Sequence, residues 1–172
     1  MKEYGTTGGA RALLFERLVD EDPDQPEEEQ PFRVLSRKKL WESVRREVGR
    51  LLNTRCPVPL HLITEEERTV INYGIPDFTS LSSNNAVDRQ LIANIIGQTI
   101  AAYEPRLRNI RVSIADFDEH ERKLWITIDA DLVTDRVIEV RSYPEDSTSV
   151  EPVTFPIVLH NKTGMLELYE NE

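Results

Sequence analysis

The hydrophobic pattern of this chain changes its period near Pro105, and this change constrains the fold more than any other feature. Before Pro105, apolar residues recur at the intervals of a 3.6-residue helix in two stretches, 36–53 and 85–104. After it, apolar and polar residues alternate along 110–115 and 124–132, as they do in half-buried strands. Helices followed by strands predict an α+β fold, in which N-terminal helices pack on a small, mostly antiparallel sheet.

Local signals predict the ends of both helices. Ser36 is a good N-cap, and Asn53 with the prolines that follow it ends the first helix. Asn85 and Asp88 have the N-cap and N3 spacing of a reciprocal cap, and Pro105 ends the second helix. The apolar stripes of the two helices are Leu40, Trp41, Val44, Val48, Leu51 and Leu52, and Val87, Leu91, Ile92, Ile95, Ile96, Thr99, Ile100 and Tyr103.

The second half of the chain predicts hairpins. The two alternating stretches are joined by the polar residues 116–123 and should pair as antiparallel strands. A third candidate strand covers 137–142, and two further extended segments, 153–159 and 164–170, flank a polar turn. Pro156 supplies no amide donor, which predicts an edge or an irregular stretch for the segment that contains it.

The first 35 residues differ from the rest. Residues 9–19 have apolar side chains at helical intervals, whereas the acidic, proline-bearing residues 20–31 bury too little apolar surface to fold and predict a tether. We therefore expect a flexible N-terminal arm with a short amphipathic helix over 1–35, and an α+β domain over 36–172. Three leucines of the arm are candidate contacts with another subunit: Leu13, Leu14 and Leu18.

The composition limits the possible functions. The chain has 31 acidic and 21 basic residues and a net charge of −10, so its average field repels nucleic acid and anionic lipid. No stretch approaches the roughly 20 apolar residues needed to cross a bilayer, and the first residues lack the apolar core of a signal peptide. We expect a cytoplasmic protein without membrane insertion. The single cysteine, Cys56, excludes an internal disulfide and a cysteine-rich zinc site.

A basic cluster in and just before the first helix stands out against this acidic average. It comprises Arg33, Arg37, Lys38, Lys39, Arg45, Arg46 and Arg50. A solvated helix face is the simplest interpretation. The alternative is a docking face for an acidic partner protein, with Arg45 and Arg46 as contacts.

Catalytic and metal-binding patterns are missing from the sequence. His61, His120 and His160 are spread over the chain without ligand spacing, and no nucleophile elbow, H-E-x-x-H, phosphate loop or C-x-x-C is present. We expect no enzyme activity, metal or cofactor. A carboxylate pair of the glycosidase type stays open as an alternative, because it depends on a separation and a pKa that sequence does not give.

The tripeptide Glu104-Pro105-Arg106 stands where the second helix gives way to the first strand. A carboxylate at a helix C-terminus faces the negative end of the helix dipole, which costs about 0.3–1 kcal/mol unless another group compensates it. Pro105 biases Glu104 away from the helical conformation, so Glu104 and Arg106 can present a paired acid and base on one surface. The simpler interpretation is a structural one, in which the tripeptide ends the helix and forms a local salt bridge. The alternative is an assembly site.

Four stretches, read in order, resemble one known family. They are 43–55 (SVRREVGRLLNTR), 69–81 (TVINYGIPDFTSL), 95–107 (IIGQTIAAYEPRL) and 151–168 (EPVTFPIVLHNKTGMLEL). Together they are similar to the TssE-type subunits of the type VI secretion system, within the contractile-phage baseplate-wedge family that is sometimes labelled lysozyme-like. The similarity covers 40–170 well and 9–20 weakly.

The resemblance implies a structural subunit of a cytoplasmic baseplate, present in several copies in a ring. It implies binding to the wedge subunits TssF, TssG and TssK and to the sheath subunits TssB and TssC, with a part in starting sheath polymerisation. The implied fold is similar to the handshake sheet of the sheath, which strands from neighbouring subunits complete. The family's Glu-Pro-Arg signature maps onto Glu104, Pro105 and Arg106, so we expect alanine at Glu104 or Arg106 to impair sheath assembly in a folded domain.

Two other functions are alternatives. One is the equivalent baseplate subunit of a contractile phage tail or an extracellular injection particle. The other is a muramidase-like hydrolase, as the older family label suggests, although a protein without an export signal would not meet peptidoglycan. The sequence departs from the family pattern at 131–150, which is longer than the usual link to the 151–168 stretch and leaves the register of the last strands open.

Overall fold

The computed structural model describes residues 10–11, 18, 24, 34–62, 68–134, 149–160 and 163–169. Two α-helices and a four-stranded antiparallel sheet, in the strand order β3-β4-β5-β6, confirm the predicted α+β class. The strands are β1 (Ala10–Arg11), β2 (Val34–Leu35), β3 (Leu107–Asp118), β4 (Lys123–Thr134), β5 (Ser149–His160) and β6 (Met165–Leu168). The α-helices whose ends the structure describes are α1 (Arg37–Asn53) and α2 (Ala86–Tyr103), and short 3-10 helices lie at Leu60–Leu62 and Val70–Asn72.

Both predicted helices form, with the predicted ends. The Ser36 hydroxyl caps α1 by accepting from the amide of Lys39 at 3.4 Å. The Asn85 side chain caps α2 by accepting from the amide of Val87 at 2.9 Å. The predicted reciprocal bond of Asp88 is wrong, because its carboxylate accepts from the amide of Ser82 at 2.9 Å instead. The carboxylate therefore holds the loop before α2.

Helix α2 buries a narrower stripe than its sequence predicts. Val87 is 74% exposed and Leu91 is 39% exposed, so these two members of the predicted apolar stripe lie outside the core. Because 3.6 residues make one turn, Ile96 lies on the side of the helix opposite Val87, and the two cannot share one buried face. The fully buried residues of α2 are Ile92, Ala93, Ile95, Ile96, Thr99 and Ile100.

The helices cover one face of the sheet. Strands β3 and β4 form the predicted hairpin, and β5 and β6 form a second one. Strands β4 and β5 pair without interruption from Lys123 opposite His160 to Thr134 opposite Ser149, which fixes the register that the 131–150 stretch left open. The core between sheet and helices includes Leu124, Ile126, Ile128, Leu132, Phe155, Ile157 and Leu159 from the sheet.

The predicted arm is described at few positions. Ala10 and Arg11 pair antiparallel with Leu35 and Val34 in a two-stranded ribbon, and Leu18 is helical. The short amphipathic helix of the arm stays a prediction. Leu18 is 71% exposed. Outside the described residues lie Leu13, Leu14, nearly all of the predicted tether at 20–31 and the strand predicted over 137–142.

Candidate functional site

Glu104, Pro105 and Arg106 form a tight turn between α2 and β3. The amide of Leu107 donates to the carbonyl of Glu104 at 3.1 Å, and Pro105 takes the second position of the turn, where its fixed φ fits. The Arg106 guanidinium folds back on the Glu104 carboxylate as a bidentate pair, with Nε–Oε1 and Nη2–Oε2 distances of 2.7 and 2.6 Å. The predicted pairing of acid and base is confirmed.

The predicted display of this pair on the surface is wrong for Glu104, which is 5% exposed. The Arg106 side chain keeps 15% exposure. Arg106 Nη1 also donates to the hydroxyl of Ser43 on α1 at 3.0 Å, and the amide of Val133 donates to the Arg106 carbonyl at 2.8 Å. The turn is drawn inward because it ties α2 and β3 to α1 and to the end of β4. Pro105 is exposed.

Two tyrosines hold the 3-10 turn beside the end of α2. The Tyr103 hydroxyl lies 3.1 Å from the carbonyl oxygen of Thr69 and 2.7 Å from that of Asn72. The rings of Tyr73 and Tyr103 meet edge to face, with centroids 5.2 Å apart. Burial raises the pKa of both tyrosine hydroxyls above its ordinary value. These contacts hold the C-terminal end of α2 against the 3-10 turn.

The candidate wedge contacts lie in different surroundings. The Arg45 guanidinium donates to the carbonyl of Leu168 at 3.1 Å and lies over the ring of Trp41, 5.6 Å from its centroid. It therefore has a structural role within the chain. Arg46 and Leu18 are exposed. Contact of Leu13, Leu14, Leu18, Arg45 and Arg46 with wedge subunits stays a prediction.

Helix α1 caps the outer side of β6. The Asn53 side chain bonds both backbone groups of Leu166: Nδ2 donates to the carbonyl at 2.7 Å, and Oδ1 accepts from the amide at 3.1 Å. Arg45 satisfies the carbonyl of Leu168 further along the strand. A Cβ at Gly49 would lie 3.0 Å from Leu168 Cδ1, which shows how closely α1 and β6 approach. Side chains of the chain itself thus occupy this edge of the sheet.

Asn53→Ala should loosen β6. The substitution removes both bonds to Leu166 and leaves these backbone groups unpaired, so we expect the free energy of unfolding to fall by about 2 kcal/mol. Chemical denaturation measures the loss, and hydrogen exchange should locate it at the Leu166 amide. The matched control is Asn94→Ala at an exposed position of α2, where we expect a change below about 0.5 kcal/mol. Equal stability of the two variants would contradict the capping role.

Before Ile157, the outer side of β5 does not pair with β6, but it offers few backbone amide donors. The amide of Tyr169 donates to the Pro156 carbonyl at 3.2 Å, so the backbone groups of Pro156 face away from β4. Because the β4–β5 register is unbroken, Val150, Pro152 and Thr154 share this outward orientation. Prolines have no amide hydrogen, so half of these four positions offer no donor to an added strand.

Among the described residues, no strand pairs with the outer side of β3. Thr127 lies opposite Pro156 at a position without hydrogen bonds, so its backbone groups face β3, where Ser113 is its partner. The backbone groups of Val112 and Ile114 therefore point away from β4. Within the described ranges neither of these two amides has a partner, and β3 contains no proline. This edge can accept a further strand.

The described residues hold no cluster of three or more His, Cys, Asp or Glu side chains that could bind a metal ion. His61 and His120 are exposed, and His160 lies 3.1 Å from Glu167. Cys56 is a buried free thiol. Among the helices that the structure describes, none has the length and apolar character to cross a bilayer. Within the described ranges, the fold instead brings together a fixed turn and a strand edge whose amides lack partners.

Two residues that hold this fold together carry no motif in the sequence. Ser43 stands inside the apolar stripe of α1, and a polar residue at a buried helix position signals that a polar partner must meet it. Asn53 looks like a simple helix end, and its partner Leu166 lies 113 positions away. Only the fold identifies these partners, because neither pairing is local.

The family model described as "Baseplate wedge protein gp25" matches residues 38–137, which is more than half of the chain and runs from α1 to the end of β4. No curated protein matches the chain. A chain of a solved structure, "The baseplate complex from the type VI secretion system", is similar at 17% identity, over 78% of this chain and 97% of that chain, with a TM-score of 0.44. The matched range contains three of the four stretches that carry the resemblance, 43–55, 69–81 and 95–107: the chain belongs to the baseplate wedge protein gp25 family and is a TssE-like structural part of a baseplate.

Proposed function

We propose that this chain is a non-catalytic subunit of a cytoplasmic type VI secretion baseplate that joins the wedge to the first ring of the contractile sheath. Its partners are TssF, TssG and TssK on the wedge side and TssB and TssC on the sheath side. The observation that supports this most is the difference between the two edges of the sheet. Asn53 and Arg45 cap the edge at β6. At the β3 edge, the amides of Val112 and Ile114 have no partners among the described residues.

The mechanism that we propose is strand addition at β3. An extended segment of a sheath subunit pairs with the outward backbone groups of β3 and enlarges the sheet. Each new hydrogen bond contributes only about 1 kcal/mol net, whereas association costs at least about 4 kcal/mol. Backbone pairing on a single copy is therefore weak. Several copies in a ring raise the effective concentration of linked sheath segments and make the binding firm.

Glu104, Pro105 and Arg106 serve this mechanism as positioning residues. Arg106 immediately precedes β3, and its bonds to Glu104 and Ser43 fix the strand relative to both helices. A fixed edge loses less entropy when a strand is added than a mobile one does. The exposed ring of Pro105 and the exposed part of Arg106 are also available for direct contact with a sheath subunit.

The dependence on copy number gives a direct test. Sheath subunits should bind the assembled wedge ring at least about tenfold more tightly than they bind isolated copies of this chain, because only the ring supplies linked sites. Biolayer interferometry with immobilised single copies and with purified ring complexes measures both affinities. A ring assembled without this chain is the control and should not bind sheath subunits. Equal affinity for isolated copies and complete rings would contradict the mechanism.

A further inference from the structure

Two arginines lie on the solvent face of the open strand. Arg108 and Arg111 are exposed, and the register places them beside Asp131 and Asp129 of β4. Neither guanidinium forms an ion pair within the described part of the chain. The neighbouring carboxylates have other hydrogen-bond donors: Asn109 Nδ2 lies 2.7 Å from Asp131 Oδ2, and the Thr154 hydroxyl lies 2.8 Å from Asp129 Oδ1.

A bulge brings these two arginines to one face. They stand three positions apart in sequence, but the pairing shifts between them, and Asn109 has a positive φ of 52°. Their partners on β4, Asp129 and Asp131, are therefore two positions apart. A regular strand added on the other side of β3 would meet the arginines with residues at the same two-residue spacing, because side chains on one face of a strand recur at every second position.

The opposite face of the same edge has a mixed polar and apolar surface. A shallow groove of about 380 Å³ runs between α2 and β3, and Arg108 lies at its border. The other lining residues are uncharged and include Asn94, Gly97, Gln98, Ile110 and Val112. A Cβ at Gly97 would lie 3.4 Å from Val112 Cγ2, so the Val112 side chain packs closely against α2 at this point. From Gln90 to Tyr103, α2 has no charged residue. Side chains that enter this groove from an added strand meet no charge on the helix.

We propose that the segment that β3 accepts is a strand with acidic residues at two-residue spacing on one face and uncharged residues on the other. The acidic residues lie beside Arg108 and Arg111, and the uncharged ones lie along the groove between α2 and β3. This inference rests on the proposed function and adds the chemistry of the partner to it. Opposite charges on adjacent strands attract, and the two pairs together should favour an acidic strand over a basic one by about tenfold.

Short peptides test this chemistry on the full chain. One peptide alternates valine with glutamate, a second replaces each glutamate with lysine, and both are titrated into the isotope-labelled protein by NMR. The glutamate peptide should shift the amide signals of Val112 and Ile114 and bind about tenfold more tightly than the lysine peptide. The preference should invert in the double variant Arg108→Glu, Arg111→Glu.

A second double variant controls for net charge. Lys38→Glu with Lys39→Glu changes the charge equally on exposed positions of α1 and should keep the preference for the glutamate peptide. Equal binding of both peptides at β3 would overturn the inference about charge and leave strand addition supported. If neither peptide shifts the signals of Val112 and Ile114, the open edge accepts no strand, which contradicts the proposed function as well.

Discussion

Glu104→Ala should lower the free energy of unfolding by about 3 kcal/mol, because it leaves the Arg106 guanidinium mostly buried without its anion. The Ser43 hydroxyl alone does not neutralise that charge. For a chain of this length, such a loss corresponds to a fall in melting temperature of about 10 °C. Differential scanning calorimetry measures it. The domain should still fold, because about 3 kcal/mol is less than the 5–15 kcal/mol of a typical domain.

A core variant with a similar loss of unfolding free energy distinguishes a positioning role of the Glu104–Arg106 pair from a contribution to stability alone. Leu52 is fully buried in α1, well away from Ser43 along the helix, and Leu52→Ala should also cost about 3 kcal/mol. If Glu104 and Arg106 position β3, Glu104→Ala should produce fewer sheaths per cell than Leu52→Ala at the same expression level. Fluorescence microscopy of a labelled sheath subunit provides the count. Equal counts would assign the pair a purely structural role.

Val112→Pro should block the open edge and leave the fold intact. The substitution removes an amide that faces away from β4, so no bond of the β3–β4 ladder is lost. The added strand loses one donor and meets the proline ring, and we expect sheath-subunit binding by the wedge ring to weaken by at least about tenfold, which corresponds to about 1.4 kcal/mol. Interferometry with purified rings measures the change, and circular dichroism checks the fold.

The same change on another strand provides the control. Val150 also has its amide on the outer side of a strand, on the donor-poor edge of β5, and it is 48% exposed. Val150→Pro should leave sheath binding within about twofold of the original chain, since our mechanism does not use this edge. A loss equal to that of Val112→Pro, or unchanged binding in Val112→Pro, would contradict the assignment of the edge.

The elements of this fold are predictable from the sequence because their signals are local. Ser36 and Asn85 cap helices within three residues of themselves, and the two-residue alternation after Pro105 defines β3 and β4. The helical spacing of apolar residues does not by itself show which side of the helix packs against the core. The exposed Val87 shows this limit, since it fits the apolar stripe in sequence but lies opposite Ile96 in the folded helix.

The site was predictable only in part, for a related reason. The Glu104–Arg106 pair is local, and its spacing predicts it. Its burial depends on Ser43, which is 63 positions from Arg106, and no pattern within either segment reveals that contact. Which edge of the sheet is capped likewise depends on a distant contact, the hydrogen bond between the Leu166 amide of β6 and the Asn53 side chain. Pairings between distant segments determine which backbone groups stay available to a partner.

Hydrogen exchange at single-residue resolution on the assembled baseplate, with and without sheath subunits, tests strand addition most directly. The amides of Val112 and Ile114 should exchange rapidly in the wedge ring and become protected when sheath subunits bind. The amide of Ser113, which faces β4, should be protected in both states. Rapid exchange of Val112 and Ile114 in the sheath-bound complex would contradict the proposed addition of a sheath strand to β3.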